Sequence, residues 1–295
     1  VKDNILYKAV RIERKMLPND AYIEDLLRRA LEEDVGTGDV TTLATVPFGT
    51  EGRYDFVARE PLMVCGLPLA AKVFGLLDPS LKITPHMKDG DAVPAGSVLM
   101  TVEGPVQAIL TGERVALNFM QHLSAIATHT QRFVNAVAGT KAEILDTRKT
   151  TPGLRFLEKY AVTCGGGANH RMGLYDAVLI KDNHIAASGG VVEAIRAAKA
   201  NTKLLIQVEC DTVEQAKEAM LVGADRLLLD NMTPALLGEV VAINQAHNLP
   251  LEASGGVTLE TIRPIAETGV DFISVGGLTH SAPHVDIGLD SAEGA

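Results

Sequence analysis

Six short apolar runs in the second half of the chain limit what it can fold into: AEILD (142–146), DAVLIKD (176–182), KLLIQVE (203–209), RLLLD (226–230), LPLEASGG (249–256) and DFISVGG (271–277). Runs this short and this continuously apolar are strands buried on both faces. Amphipathic helical segments such as VVEAIRAAKAN, TVEQAKEAMLVG and TPALLGEVVAINQAHN lie between several of them. Strand and helix in alternation imply a parallel sheet with right-handed crossovers. A polar residue closes each run: Asp146, Lys181, Glu209, Asp230, Glu252 and Ser274, the last five spaced by 28, 21, 22 and 22 residues. In an α/β barrel the strand ends converge on one face, whereas an open sheet converges only at its switch point. The runs therefore predict a barrel whose open end collects these side chains. Six runs, with room for a seventh strand in 147–175, stop short of a closed barrel.

The first half has a different rhythm. AYIEDLLRRALEEDVGTGD places Ile23, Leu26, Leu27, Ala30 and Leu31 on one helix face, with Asn19 or Asp20 as cap and Gly36 as terminator. From about 49 to 106, short β-rich runs alternate with turns, as in a small α+β module. Its GDAVPAGSVLMTVE resembles half of a lipoyl or biotinyl carrier motif, but no Met-Lys acceptor follows Glu103, so it is read as scaffold. From Glu113 to about Val137 the spacing predicts one long helix without Gly or Pro.

Charge narrows the function. The chain carries a net −10, yet Arg148, Lys149, Arg155, Lys159, Arg171 and Lys181 face only Glu158 and Asp176, a local +4. That suits one small anionic ligand and argues against nucleic acid or an anionic membrane, which need basic surface on a larger scale. The absence of Trp and the 4% aromatic content also argue against base stacking. No apolar run approaches the roughly 18–20 residues of a membrane span. The N-terminal stretch VKDNILYKAVRIERKMLPND is too broken by charge for a signal peptide. Three scattered cysteines, Cys65, Cys164 and Cys210, fit a reducing compartment, so a cytoplasmic protein is expected.

Several residues could do chemistry. The Gly pairs in EASGGV and SVGGL directly follow late strands, where barrels seat phosphate on backbone amides; tight βα turns would need the same glycines. Glu209 and Asp230 suit ribose hydroxyls or Mg²⁺, or else a salt bridge to Lys181 or Lys149. Lys181, ending an apolar strand, could instead form a Schiff base as in class I aldolases. TRKT (147–150) and NHR (169–171) bring guanidinium groups suited to a ligand with more than one carboxylate or phosphate. Arg155 and Lys159 read as surface charges. His170, Cys164 and His184 lack zinc-site spacing.

Taken in order, EDVGTGDVTT, ERVALNF, LDTRKTTPGLR, KYAVTCGGGANHRMGLYDAVLIKDNHI, LLLDN, EASGGV and SVGGLTHSAPHVDIGLD resemble the quinolinate phosphoribosyltransferase family, among the type II phosphoribosyltransferases. The resemblance runs from about Asp20 to Asp290 and implies an α/β fold of two parts. An N-terminal α/β sandwich would span 1–116, joined by the tail 281–295, and an incomplete, seven-stranded α/β barrel would span 117–280. It implies transfer of phosphoribosyl from phosphoribosyl pyrophosphate to quinolinate with Mg²⁺ and loss of CO₂. Arg148, His170 and Arg171 would hold the quinolinate carboxylates, beside Thr147. Lys149 and Lys181 would meet pyrophosphate and the reacting centre, and Glu209 and Asp230 the ribose and metal. Ser254, Gly255 and Gly256, with Ser274, Gly276 and Gly277, would cradle the 5-phosphate. The working unit would be a homodimer, or a hexamer of such dimers, with Arg114 reaching the neighbouring subunit's site. Gly277 stands where that family commonly has Ala, and Cys210 where an aliphatic residue is commoner. A molybdenum-transport paralogue shares the fold; the intact TRKT and NHR blocks favour the quinolinate enzyme. A Schiff-base lyase and a non-catalytic phosphate-binding protein are the alternatives.

Overall fold

The computed structural model describes residue 17 and residues 19–292. The charge-broken stretch read as no signal peptide lies almost wholly outside the described residues. The chain divides into two compact units: one comprises the described residues of Lys15–His129, Phe156–Gly166 and Ala282–Ala295, the other Thr130–Arg155 and Gly167–Ser281.

In the first unit, helix α1 (Asp20–Val35) begins at Asn19, whose side chain accepts from the Tyr22 amide at 2.9 Å, and stops at Gly36. Ile23, Leu27 and Leu31 are its buried stripe. A four-stranded antiparallel sheet follows the order β12-β1-β5-β3, from β1 (Glu51–Ala58), β3 (Lys82–Pro85), β5 (Val98–Pro105) and the late strand β12 (Ile287–Ser291). The tail thus returns to this unit as an edge strand. A separate pair joins β2 (Leu62–Met63) to β4 (Ala92–Val93). Helix α2 (Leu67–Leu77) lies on the four-stranded sheet, with Phe74 edge-on to Phe56 at 5.8 Å between centroids.

The long helix α3 runs from Val106 to Ala136, seven residues earlier at its start than the spacing predicts. Gly112 sits inside it for a packing reason. A β-carbon there would stand 2.7 Å from Leu77 Cδ1 and 3.0 Å from Phe74 Cε1, so glycine lets α2 approach closely.

The second unit is the parallel sheet, in the order β6-β11-β10-β9-β8-β7: β6 (Glu143–Leu145), β7 (Val178–Ile180), β8 (Ile206–Cys210), β9 (Arg226–Asp230), β10 (Leu251–Ser254) and β11 (Phe272–Ser274). All six match the apolar runs. The seventh strand is reduced to a bridge at Ala168, which exchanges two backbone hydrogen bonds with the edge of β6 at 2.8 and 3.2 Å. Outward-facing Ile206, Val208 and Cys210 are buried beneath helices Val191–Asn201 and Val213–Val222. Residues one position off face the barrel interior, because side chains alternate along a strand. Among the described residues, no helix is long and apolar enough to cross a membrane.

Candidate active site

Alternation sorts the interior residues into an upper set and a floor. Lys181 directly follows β7, Asp230, Ser254 and Ser274 close their strands, and Glu209 is the penultimate residue of β8. Two positions below lie Leu179, Gln207, Leu228, Glu252 and Phe272. Glu252, expected at a strand end, is instead the second residue of β10 and fully buried. Above the floor opens a cavity of about 410 Å³, within the range of small-molecule sites.

One wall of this cavity is the cationic arm. Arg148 and Lys149 follow β6, and the Thr147 hydroxyl accepts from the Lys149 amide at 3.0 Å. Arg155 braces this loop: its guanidinium donates to the Arg148 carbonyl at 3.3 Å, Thr150 Oγ1 at 3.0 Å and the Met172 carbonyl at 3.2 Å. Asp146 holds the second strand of the arm, accepting from the His170 amide at 2.8 Å and Asn169 Nδ2 at 2.6 Å. Asp176 closes the turn beyond Arg171 by accepting from the Met172 and Gly173 amides at 2.7 and 3.0 Å. Burial, and then the charge of Arg148, lower the pKa of Arg171. Two guanidiniums held near each other repel, and an anion between them relieves that repulsion. Among the described residues, Arg148 Nε is buried without a hydrogen-bond partner.

The floor is a buried polar network. His170 Nδ1 accepts from the Arg171 amide at 2.8 Å, which places the ring proton on Nε2. That nitrogen donates to Gln207 Oε1 at 3.0 Å, and Gln207 Nε2 donates to Glu252 Oε2 at 2.6 Å. Arg226 forms an ion pair with Glu252 at 2.5 Å and stacks over the Phe272 ring at 4.1 Å. Burial alone would raise the Glu252 pKa, but the Arg226 charge, together with His170 and a hydrogen bond from Ser274, more than offsets it and holds the carboxyl well below the ordinary glutamate range. Both nitrogens of His170 are therefore engaged within the protein. Arg148, Lys149 and Arg171 are the fixed cations of the arm.

The opposite wall is built from backbone. Asp230 and Ser254 are paired across β9 and β10. Gly255 has φ +96°, and a β-carbon there would meet Asn231 Oδ1 at 2.1 Å. Asn231 has a positive φ of 54°, and its amide donates to the Ser254 carbonyl at 2.8 Å. At Gly276 a β-carbon would come within 3.0 Å of Lys149 Cδ, so this glycine makes room for the lysine stem.

Lys181 is ion-paired with Glu209, the salt bridge foreseen as the alternative for that carboxylate. Its side chain is 45% exposed, the opposite of the desolvated setting that activates a Schiff-base lysine. Glu209 and Asp230 offer hard carboxylate oxygens from neighbouring strands. Glu209 Oε2 accepts from Lys181 and Asp230 Oδ2 from Asn231 at 2.6 Å. Among the described residues, the second oxygen of each makes no hydrogen bond. This donor set fits Mg²⁺, which takes one or two carboxylates and fills its shell with water and substrate phosphate.

The cavity brings together Thr147, Arg148, Lys149, His170, Arg171 and Lys181 with Glu209, Asp230, Ser254, Gly255, Gly256, Ser274 and Gly276. Gly277 and Arg114 are not in its lining. Arg114 is exposed on α3. Two residues expected at the surface are not there. Lys159 is 1% exposed, within a helix (Arg155–Cys164) buried from Leu157 to Thr163, and Arg155 is part-buried by its three contacts. Gln207 and Arg226 were missed as site residues. The signal was there: a Gln and an Arg inside apolar strand runs, at even spacing from Glu209 and Asp230.

Residues 39–124 match the N-terminal domain of quinolinate phosphoribosyl transferase, and residues 126–290 match its C-terminal domain. A carboxylating nicotinate-nucleotide pyrophosphorylase of Mycobacterium leprae is 46% identical over 275 residues, covering 90% of this chain and 96% of that protein. A chloroplastic counterpart from Arabidopsis thaliana is 44% identical over 287 residues, covering 90% of this chain and 82% of its own. The solved nicotinate-nucleotide pyrophosphorylase of Francisella tularensis superposes with a TM-score of 0.90 at 39% identity, covering 94% of this chain and 98% of that one. With both domains matched in order and relatives this similar across nearly its whole length, the chain belongs to the quinolinate phosphoribosyltransferase family.

Proposed function

We propose that this protein joins quinolinate to phosphoribosyl pyrophosphate and releases pyrophosphate and CO₂, giving nicotinate mononucleotide for NAD biosynthesis. The observation that carries the reading is the division of a single cavity. One wall holds two neighbouring guanidiniums, the other holds glycine turns, and an ion-paired lysine and two carboxylates lie between.

In this reading Arg148 and Arg171 clamp the two quinolinate carboxylates, and His170 sets the position of the arm from beneath. The turns at 254–256 and 274–277 receive the 5-phosphate on backbone amides. Lys149 and Lys181 neutralise the pyrophosphate as its bond to ribose C1 breaks. Glu209 and Asp230 hold the ribose hydroxyls and stabilise the positive charge that develops at C1. Mg²⁺, held by Glu209 and Asp230, would add charge neutralisation at the pyrophosphate. The pyridine nitrogen attacks C1. Its positive charge then stabilises the electron pair left on C2 as the 2-carboxylate departs as CO₂, and a proton takes up that pair at the vacated ring position. The protein contributes chiefly positioning and electrostatics.

The working unit is a homodimer, itself open to assembly as a hexamer, in which Arg114 enters the neighbour's cavity. Its exposure on α3 supports this. Mixing Arg114→Ala with Lys181→Ala subunits then restores part of the activity; no recovery refutes the shared site. The enzyme works in the cytoplasm, in keeping with its sparse, odd set of cysteines. The decisive assay supplies quinolinate, phosphoribosyl pyrophosphate and Mg²⁺ and measures nicotinate mononucleotide and CO₂ in equal amounts. Turnover of nicotinate in place of quinolinate would overturn the assignment.

A further inference from the structure

Away from the cavity, within the first unit, three donor groups from distant parts of the chain meet. Cys65 Sγ, Cys164 Sγ and a carboxylate oxygen of Asp89 all lie within 4.8 Å of one another. Cys65 lies two residues after β2, Asp89 in the turn before β4, and Cys164 is the last residue of the helix Arg155–Cys164. No spacing in the sequence unites them, so the absence of a zinc motif around Cys164 did not bear on this cluster.

We propose that Cys65, Asp89 and Cys164 form a binding site for a soft divalent cation of the Zn²⁺ class, separate from the Mg²⁺ site. Zn²⁺ accepts both thiolate sulfur and carboxylate oxygen, whereas Mg²⁺ and Ca²⁺ take oxygen and not sulfur, so the two thiols select the Zn²⁺ class. Around a tetrahedral ion with bonds of about 2.0–2.3 Å, ligand atoms stand roughly 3.3–3.8 Å apart. The cluster needs at most about 1.5 Å of contraction.

The surroundings hold the donors in place before any ion arrives. Asp89 Oδ1 accepts from the Leu67 amide at 3.0 Å and Oδ2 from the Tyr160 hydroxyl at 2.8 Å. A carboxylate has about four acceptor sites, so these two contacts and a third from the Gly66 amide still leave a lone pair for an ion. Such outer hydrogen bonds orient metal-binding carboxylates and limit their freedom. Cys65 is fixed through its backbone: its amide donates to Ser124 Oγ at 2.9 Å, and that hydroxyl donates back to the Cys65 carbonyl at 3.1 Å. The Gly90 amide donates to the Val64 carbonyl at 2.8 Å, tying the Asp89 turn to the Cys65 segment. Cys65 is fully buried, while Asp89 and Cys164 are part-exposed and provide the way in. On binding, both thiols give their protons to solvent and three protein ligands leave a fourth position for water.

The test uses the full chain, reduced and stripped with chelator, titrated with Co²⁺ as the spectroscopic probe. One equivalent is expected to produce the near-ultraviolet thiolate-to-cobalt charge-transfer band and the visible bands of tetrahedral Co²⁺, both abolished by one equivalent of Zn²⁺. Cys65→Ser and Cys164→Ser each remove the thiolate band, Asp89→Asn weakens affinity at least roughly tenfold, and Cys210→Ser leaves all three unchanged. A wild-type protein without the band overturns the site, as does a band that survives Cys164→Ser. Independently of any variant, one equivalent of Zn²⁺ protects wild-type Cys164 from alkylation as read by mass spectrometry. Unchanged alkylation overturns the proposal. None of these readouts depends on phosphoribosyl transfer, so the site and the proposed function fail separately.

Discussion

The cationic arm and the glycine turns line one cavity and, under the proposed function, both grip anions, yet they are built on opposite principles. The arm works through long side chains, so it needs bracing. Arg155 pins the Arg148 carbonyl, Asp146 holds the backbone at His170, and Asp176 shapes the turn after Arg171. The turns work through what is missing. At Gly255 the backbone takes a left-handed φ and leaves no space for a β-carbon. The arm can therefore lose function through residues that never touch a ligand, whereas the turns lose it when a single carbon is added.

The largest expected effect lies on the arm. Arg148→Ala removes charge-assisted hydrogen bonds of about 1.5–3 kcal/mol each. The kcat/KM for quinolinate should fall at least roughly tenfold, with KM for phosphoribosyl pyrophosphate nearly unmoved. Unchanged steady-state kinetics would sink the carboxylate clamp.

On the opposite wall, Gly255→Ala meets both a disfavoured φ and Asn231, at a cost of about 1–3 kcal/mol. Its signature should be the reverse: a several-fold rise in KM for phosphoribosyl pyrophosphate and a lower melting temperature, with the quinolinate KM little changed. Equal damage to both substrates would erase the contrast between the two walls.

A smaller effect concerns the network under the arm. The depressed pKa of Glu252 makes a stabilising contribution that is fully present above the unfolded glutamate value of about 4.3. That contribution is lost as pH falls below this value toward the lower folded one. Thermal melts from pH 7 to pH 3 should show wild type losing more stability than Glu252→Gln. Parallel curves would mean that the Arg226 ion pair does not set the acid limit.

The smallest change should be Gly277→Ala. Its φ is not left-handed and a β-carbon there meets nothing within 4 Å, so activity and melting temperature should match wild type. A large loss would mean that the turn's reach extends past Gly276.

The contrast also marks what could be read from the chain. Strand runs and their polar ends were legible because a doubly buried strand leaves little compositional freedom. Lys181, Glu209 and Asp230 followed from them, and Arg148 and Arg171 from the local excess of cations. The bracing was not legible. Lys159 and Glu158 look solvated in a polar-looking helix, yet both are buried, and Glu158 meets His122 at 2.9 Å from 36 residues away. The predicted helix begins only after Gly112, whose close approach to Phe74 and Leu77 is a tertiary fact. Cys65, Asp89 and Cys164 meet only after folding. Local pattern reveals what a residue's own element needs, and stays silent on partners brought from afar.

Strand β12 has a consequence for the order in which the molecule can be finished. Its side-by-side pairing with β1, fastened by Arg59 and Asp290, joins residues 231 positions apart. At translation rates of about 5–20 residues per second, β1 waits on the order of ten to fifty seconds for its partner. During that interval one side of an eight-residue strand stands as an open edge, able to pair with another nascent chain. The first unit to be synthesised is thus the last to be complete, and the burden on chaperones falls at the beginning of the chain.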